Sequence, residues 1–311
     1  MAEAAPLYHD IAEAPAGGRA VWLRTDDGVR IRVGLWPAGA KGTVLLFPGR
    51  TEYVEKYGPA AGEFAQRGYA MLAVDWRGQG LADRLLPDRA PGHVGRFGDY
   101  QRDVAAVIAL ARAEGLPEPF HLVGHSMGAA IGLRALHDGL PVRTAVFSAP
   151  MWGIRMHPAL RPLAWGLATL LPLVGMGSRL APSTDAASYV ATAAFAGNVL
   201  TRDPAMWAFM QRQLAAHPDL AIGGPTVQWL REALCETRAL ARLAAPPTPA
   251  LTMLGAAERV VDIPAIRALM ARWPGGRLDL VADAEHELMM EGPAIRARFY
   301  DAAVALFDAE R

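Results

Sequence analysis

The sequence predicts a mostly parallel, doubly wound α/β sheet of about eight strands with a helical segment inserted into it. Short, continuously apolar runs alternate with amphipathic, helix-length stretches from residue 42 to 150 and again after residue 246, the rhythm of parallel strands buried on both faces. Between residues 151 and 245 that rhythm stops, and Trp- and Met-rich stretches of helical character replace it. Pro246, Pro247 and Pro249 mark the return. The expected organisation is a core of residues 1–150 and 246–311 with a helical cap at 151–245.

In chain order, residues 20–25 (AVWLRT) and 29–37 (VRIRVGLWP) alternate apolar and polar side chains around Asp26, Asp27 and Gly28, as in an antiparallel hairpin. Residues 42–49 (GTVLLFPG) form the first fully apolar strand. Helical periodicity follows over residues 52–67, with Tyr53, Tyr57, Ala60, Ala61 and Phe64 on one side and Gly68 past the end. Residues 69–76 (YAMLAVDW) give the next buried strand, residues 99–114 a helix, residues 120–123 (FHLV) a strand and residues 129–139 a helix. Residues 143–150 (RTAVFSAP) are a further strand. After the insertion come the strand TPALTMLG (248–255), the helix PAIRALMARW (264–273), the strand GRLDLVADA (276–284) and a closing helix from Pro293, a residue suited to a first helical turn.

Composition narrows the partners. The 31 Lys and Arg balance the 31 Asp and Glu of this 311-residue chain, so no global field favours nucleic acid. The single cysteine, Cys235, excludes an internal disulfide and a Cys-based metal site, and reads as a small buried apolar side chain. The N-terminal residues carry acids and prolines where a signal peptide needs a basic start and an apolar run, which reads as cytoplasmic. The longest apolar region, residues 160–174, is interrupted by Arg161, Pro162, Gly166 and Pro172 and is shorter than the ~20 residues of a spanning helix. No transmembrane segment is expected.

The chemistry centres on GHSMG (residues 124–128), which directly follows a strand-like run and precedes a helix-like one, the setting of a nucleophile elbow. A serine hydroxyl is a poor nucleophile at neutral pH, so Ser126 needs a general base and N–H donors for the oxyanion. Of the eight histidines, His286 lies in the loop after the last strand, at the sheet edge where the elbow ends, and is the candidate base. His125 adjoins Ser126 but points the other way, which suits packing or pocket lining. The chain order Ser, acid, His puts the acid in GAAERVVD (255–262), where Glu258 is the first candidate and Asp262 the alternative. Met127 and Arg50 are the candidate oxyanion donors, through their backbone N–H groups. The Arg50 guanidinium has two uses open to it, covering the pocket mouth or pairing with Glu52 or Glu55, and the surface ion pair is the one expected.

These residues resemble the α/β-hydrolase superfamily, and within it the serine aminopeptidase-like hydrolases that include monoacylglycerol lipases and bacterial lysophospholipases. The resemblance runs from about residue 42 to 291 and rests on FPGRTEYVEKY (47–57), VDWRGQGLAD (74–83), HVGRFGDYQRDV (93–104), GHSMG, GAAERVVD and AEHELMME (284–291). It implies a triad of Ser126, Glu258 and His286 with oxyanion donors at Arg50 and Met127. Two positions depart from the family pattern: Pro48-Gly49 stands where His-Gly is usual, and Glu258 where Asp is usual.

A serine at the elbow implies acyl transfer to water through an acyl-enzyme, with neither metal nor organic cofactor. The aromatic and Met side chains of the insertion, Trp152 and Trp207 among them, lean toward a hydrophobic acyl chain and make the cap a candidate surface for transient contact with lipid. The expected substrate is a monoacyl lipid, either a monoacylglycerol or a lysophospholipid, or a medium-chain ester. An aminopeptidase or amidase of the same fold and a non-catalytic lipid-binding protein are the alternatives.

Overall fold

A computed structural model of the protein describes residues 2–310. The buried apolar runs become the centre of one nine-stranded sheet of order β1-β2-β3-β5-β4-β6-β7-β8-β9. β1 (Glu3–Ala5), β2 (Arg19–Arg24) and β3 (Arg30–Trp36) form an antiparallel edge, and β3 pairs antiparallel with β5 (Ala70–Asp75). From β5 onward every pairing is parallel, through β4 (Thr43–Phe47), β6 (Phe120–His125), β7 (Thr144–Ser148), β8 (Ala250–Gly255) and β9 (Arg277–Val281). β1 was not expected: it is three residues long, and two of them are exposed, so no hydrophobic pattern announces it.

Alternate residues along each strand enter opposite layers. Leu45, Phe47, Leu122, Ala145 and Phe147 pack with Val107 and Ala111 of α3 (Tyr100–Ala113) and with Ile131 of α4 (Ser126–His137). Val44, Leu46, Val123 and Val146 pack on the other face with Phe64 of α2 (Gly58–Gln66) and with Phe299 and Phe307 of α10 (Pro293–Ala309). Burial on both faces removes the polar alternation that a solvated sheet would show.

The helix expected over residues 52–67 is shorter. Tyr53 is extended, residues Val54–Tyr57 form one 3₁₀ turn, and α2 starts at Gly58 with Pro59 in its first turn. Pro59 has no N–H to offer the Glu55 carbonyl, so it suits a helix start rather than an interior.

Between β7 and β8 the chain holds α5 (Arg161–Leu173), α6 (Tyr189–Thr192), α7 (Pro204–Ala216) and α8 (Val227–Leu240). This segment is tied to the carboxyl edge of the sheet at two places. Gly223 and Thr226 donate to the carbonyls of Ala90 and Gly92, and Gly92 donates to Gly224. On the other side Leu200 accepts from the Glu287 N–H, and Thr201 Oγ1 donates to the Met290 carbonyl at 2.6 Å. α5 leaves Leu163, Leu170 and Leu173 exposed, with Leu160, Val174 and Met176 beside them. No helix among the described residues is long and apolar enough to cross a membrane. Cys235 corrects the sequence reading: it is exposed on α8, whose inward side is taken by Ala233, Leu234 and Thr237.

Candidate active site

The sequence between β6 and α4 turns sharply at one residue. His125 is still extended, and Ser126 opens the helix with φ of 47°, the left-handed region that a residue with a side chain rarely adopts. The two glycines let the layers close around it. A Cβ on Gly128 would lie 2.0 Å from the Phe47 carbonyl oxygen and 2.4 Å from that of Pro48, and one on Gly124 would lie 2.8 Å from the Ala129 Cα. The loop after β4 therefore rests directly on the first turn of α4. Met127 is the second residue of that helix, so its N–H has no acceptor four residues back within the helix.

The loops after β8 and β9 bring an acid and a histidine together. Glu258 Oε2 lies 2.7 Å from His286 Nδ1, and both side chains are buried. The other oxygen, Oε1, accepts from the N–H groups of Val260 at 2.5 Å and Val261 at 3.1 Å. Burial pushes the Glu258 carboxyl up, but the hydrogen bond and charge of His286, with these two backbone donors, outweigh it and hold the group below the usual carboxylate range. Asp262 is placed elsewhere. It caps α9 (Ile263–Met270) by accepting from the Ala265 N–H and pairs with Arg161 at 2.7 Å. The His286 ring sits 4.8 Å from that of His125, which brings it beside the elbow. No hydrogen bond joins Ser126 to His286 among the described residues; such bonds are often long before substrate arrives.

His125 is buried behind the turn. Its Nδ1 faces the Ser148 carbonyl at 3.1 Å, and its Nε2 lies 3.6 Å from Glu52 Oε1. Burial, opposed by Glu52 and assisted by His286 and Lys56, drives its pKa down to about 3, so the imidazole is neutral. It packs beside Glu52, Lys56 and Glu287 around a space too small to admit a water molecule.

Sequence reasoning missed a buried polar cluster below the loop. Glu52 Oε2 accepts from the Gly49 N–H and from the Tyr57 hydroxyl, the latter at 2.5 Å. Lys56 Nζ bonds Glu52 at 2.8 Å and Glu287, the neighbour of His286, at 2.7 Å. Glu52, His125 and Glu287 bring one ligand atom each within 4.8 Å of one another, a set able to hold a metal ion. The Lys56 ammonium already bonds both carboxylates. The i, i+4 spacing of Glu52 and Lys56 was the available signal for one arm; nothing local signals Glu287.

The ion pair expected for Arg50 is absent among the described residues. Glu52 is committed to Gly49, Tyr57 and Lys56, and Glu55 to Arg32 at 2.6 Å. Arg50 Nη1 instead donates to the Gly223 carbonyl at 2.8 Å, and its guanidinium lies 5.7 Å from the Trp229 ring centroid. It joins the loop after β4 to the helical segment. Trp152 is likewise corrected: it is buried against Phe147 and stacked 5.9 Å from Trp273, in the core rather than a substrate wall. Trp207 is buried among the helices, with Tyr189 and Phe195 at its ring, and its Nε1 has no hydrogen-bond partner among the described residues.

Chemically, the arrangement offers a strained serine at a helix start, a histidine oriented by a buried carboxylate, and two backbone donors on neighbouring turns. Comparison with known proteins gives consistent matches. Residues 38–293 match the family described as serine aminopeptidase, S33. Lysophospholipase L2 of Escherichia coli K12 is 33% identical over 277 residues, 85% of this chain and 80% of that protein. A probable lysophospholipase L2 of Haemophilus influenzae is 30% identical over 256 residues, 81% of this chain and 79% of that protein. A monoglyceride lipase of Saccharomyces cerevisiae, solved with a substrate analog, superposes with a TM-score of 0.74 at 20% identity, covering 99% of this chain and 100% of that one.

Proposed function

Because the chain belongs to the serine aminopeptidase S33 family of α/β hydrolases, we propose that it is a serine carboxylic-ester hydrolase acting on a monoacyl lipid, a lysophospholipid or monoacylglycerol. The observation that carries this is the Glu258–His286 pair at the carboxyl edge of the sheet, beside a serine held at positive φ.

In this reading Glu258 accepts a hydrogen bond from the Nδ1–H of His286 and leaves Nε2 as the base. Nε2 takes the hydroxyl proton as Ser126 Oγ bonds the ester carbonyl carbon. The carbonyl electrons move to oxygen, and the N–H groups of Met127 and Arg50 stabilise that charge. The intermediate collapses, the ester C–O bond breaks, and His286 returns the proton to the departing alcohol. Water, deprotonated by His286, then attacks the acyl-enzyme and releases the fatty acid and Ser126. Imidazolium forms twice, and each time the buried Glu258 carboxylate faces it.

The helical segment of residues 151–245 acts as the cap over this site. Its stretch from 151 to 184 contains Arg155, Arg161 and Arg179 and no Asp or Glu, while α5 exposes a row of leucines. Arg161 is paired with Asp262, so the exposed leucines carry this reading: an apolar surface beside Arg179 suits transient contact with a lipid interface, where monoacyl lipids are found. The reading extends to a reducing, cytoplasmic setting, which the lone Cys235 suits.

An ester panel graded from acetyl to palmitoyl, with lysophosphatidylcholine, monoacylglycerol and an aminoacyl amide included, tests the substrate class. Long-chain monoacyl esters are expected to give the highest kcat/KM. Preference for acetyl esters, or for the amide, would overturn the lipid assignment.

A further inference from the structure

The loop after β4 presents three successive N–H groups, and two of them are taken. Gly49 donates to Glu52 Oε2, and Thr51 donates to Gln79 Oε1 at 3.2 Å. The Arg50 N–H between them has no acceptor among the described residues. The same Gln79 carboxamide donates through Nε2 to the Gly49 carbonyl at 3.0 Å, so one buried side chain grips the loop on both sides of Arg50.

This grip fixes a direction. The Gly49 carbonyl and the Arg50 N–H belong to one peptide plane, and in a trans peptide they point opposite ways. Holding the carbonyl on Gln79 therefore turns the Arg50 N–H away from Gln79. The loop needs such restraint, because Thr51 has φ of 69°, a conformation that costs energy for a residue with a Cβ. Gln79 is itself fixed. Its N–H donates to the Trp76 carbonyl at 2.9 Å, its own carbonyl accepts from the Ala82 N–H at 3.0 Å, and the Trp76 indole donates to the Pro48 carbonyl at 2.9 Å. On the opposite side the loop rests on Gly128, two residues from Ser126.

We propose that Gln79 is a positioning residue for the oxyanion donor, its carboxamide setting the Gly49–Arg50 peptide so that the Arg50 N–H faces the carbonyl oxygen of an ester bound at Ser126. The assignment rests on the serine-hydrolase reading above. Gln79 touches no reacting atom; it acts through the peptide it holds. The loop's own Glu52 holds the Gly49 N–H, which belongs to the preceding peptide, and leaves the Gly49–Arg50 peptide to Gln79.

The test compares wild type with Gln79→Glu, which keeps the acceptor for Thr51 and loses the donor to Gly49, and with Gln79→Met, which has similar size and neither bond. Three quantities are measured on a soluble p-nitrophenyl ester: kcat, KM, and affinity for a trifluoromethyl ketone, which forms an oxyanion-bearing adduct with the serine. Displacing one donor predicts a fall in kcat of about 10²-fold with KM within about 3-fold. Ketone affinity is expected to fall by a factor similar to kcat. Thermal midpoints establish folding, and Gln79→Glu, the smaller change, carries the test if Gln79→Met does not fold.

Wild-type kcat in either folded variant would overturn the proposal. So would a fall in kcat that leaves ketone affinity unchanged, since a merely structural loosening need not follow the oxyanion. If wild-type protein neither hydrolyses the ester nor reacts with a fluorophosphonate at Ser126, the serine-hydrolase reading itself fails and this assignment falls with it. A reactive wild type with indifferent Gln79 variants sinks the Gln79 assignment alone.

Discussion

Glu258 Oε2 and His286 Nδ1 stand 2.7 Å apart in a buried pair, while Asp262, four residues after Glu258, faces Arg161. The two acids therefore predict different outcomes. Glu258→Gln keeps the shape but disturbs the tautomer of His286, and is expected to lower kcat by about 10²- to 10⁴-fold. Asp262→Asn should leave kcat within about 3-fold of wild type and change the thermal midpoint only slightly. Steady-state kinetics of the two purified variants on one ester decide it, and the reverse ranking would move the acid to Asp262.

His125 makes stability depend on pH. Its pKa is about 3 in the folded protein against an ordinary 6.5, so below about pH 6.5 the unfolded chain binds a proton that the folded chain refuses. Stability is then lost on acidification, by up to about 1.4 kcal/mol per pH unit between 6.5 and 3. Glu52, whose burial is outweighed by the Lys56 ammonium and the Tyr57 hydroxyl so that it is held down to about 2 against an ordinary 4.5, adds a loss of the same sign below about pH 4.5. Denaturant titrations of wild type and His125→Asn at pH 8, 6 and 5 should show the difference between them shrinking as pH falls. A difference constant with pH would refute the neutral buried imidazole.

Gly128 is predicted to tolerate no side chain. A Cβ there meets the backbone oxygens of Phe47 and Pro48, which cannot rotate away. Gly128→Ala should cost about 1–3 kcal/mol or displace the loop that carries Arg50, lowering kcat. Gly139→Ala is the comparison: nothing lies within 4 Å of its added Cβ, although φ of 88° adds backbone strain. If Gly128→Ala matched wild type in both stability and kcat, the close packing of loop on helix would be wrong.

The exposed leucines of α5 separate interface from chemistry. Leu173, 76% exposed, and Leu170, 62% exposed, have little to lose in folding from a polar replacement. The double variant Leu170→Glu, Leu173→Glu should hydrolyse a water-soluble short-chain ester at the wild-type rate and bind vesicles containing anionic phospholipid several-fold more weakly in a sedimentation assay. Equal vesicle binding would remove α5 from the lipid contact.

What could be read from the sequence follows from range. β4, β6 and β8 are buried throughout and mostly apolar because both faces of each are covered, and that pattern is local. The elbow is equally local, since Gly124, Ser126 and Gly128 fall within five consecutive positions. β1 escaped notice because pairing with β2, not its own side chains, makes it a strand. Glu258 and Asp262 were left open because the turn after β8 decides which carboxylate faces β9, and spacing does not encode that turn. Lys56 and Glu287 are 231 residues apart, and only the closed sheet sets them 2.7 Å from each other. The place of the Arg50 guanidinium was illegible for the same reason: its partners Gly223 and Trp229 belong to a segment distant in the chain.

The central claim, that Ser126 is the nucleophile, is tested most directly by reaction with a fluorophosphonate followed by peptide mass analysis, on wild type and Ser126→Ala alongside their ester turnover. One phosphonyl group on Ser126 in wild type, none in Ser126→Ala, and a fall in turnover of about 10⁴-fold or more are the predicted results. Ser126→Ala hydrolysing the ester at the wild-type rate would contradict the account.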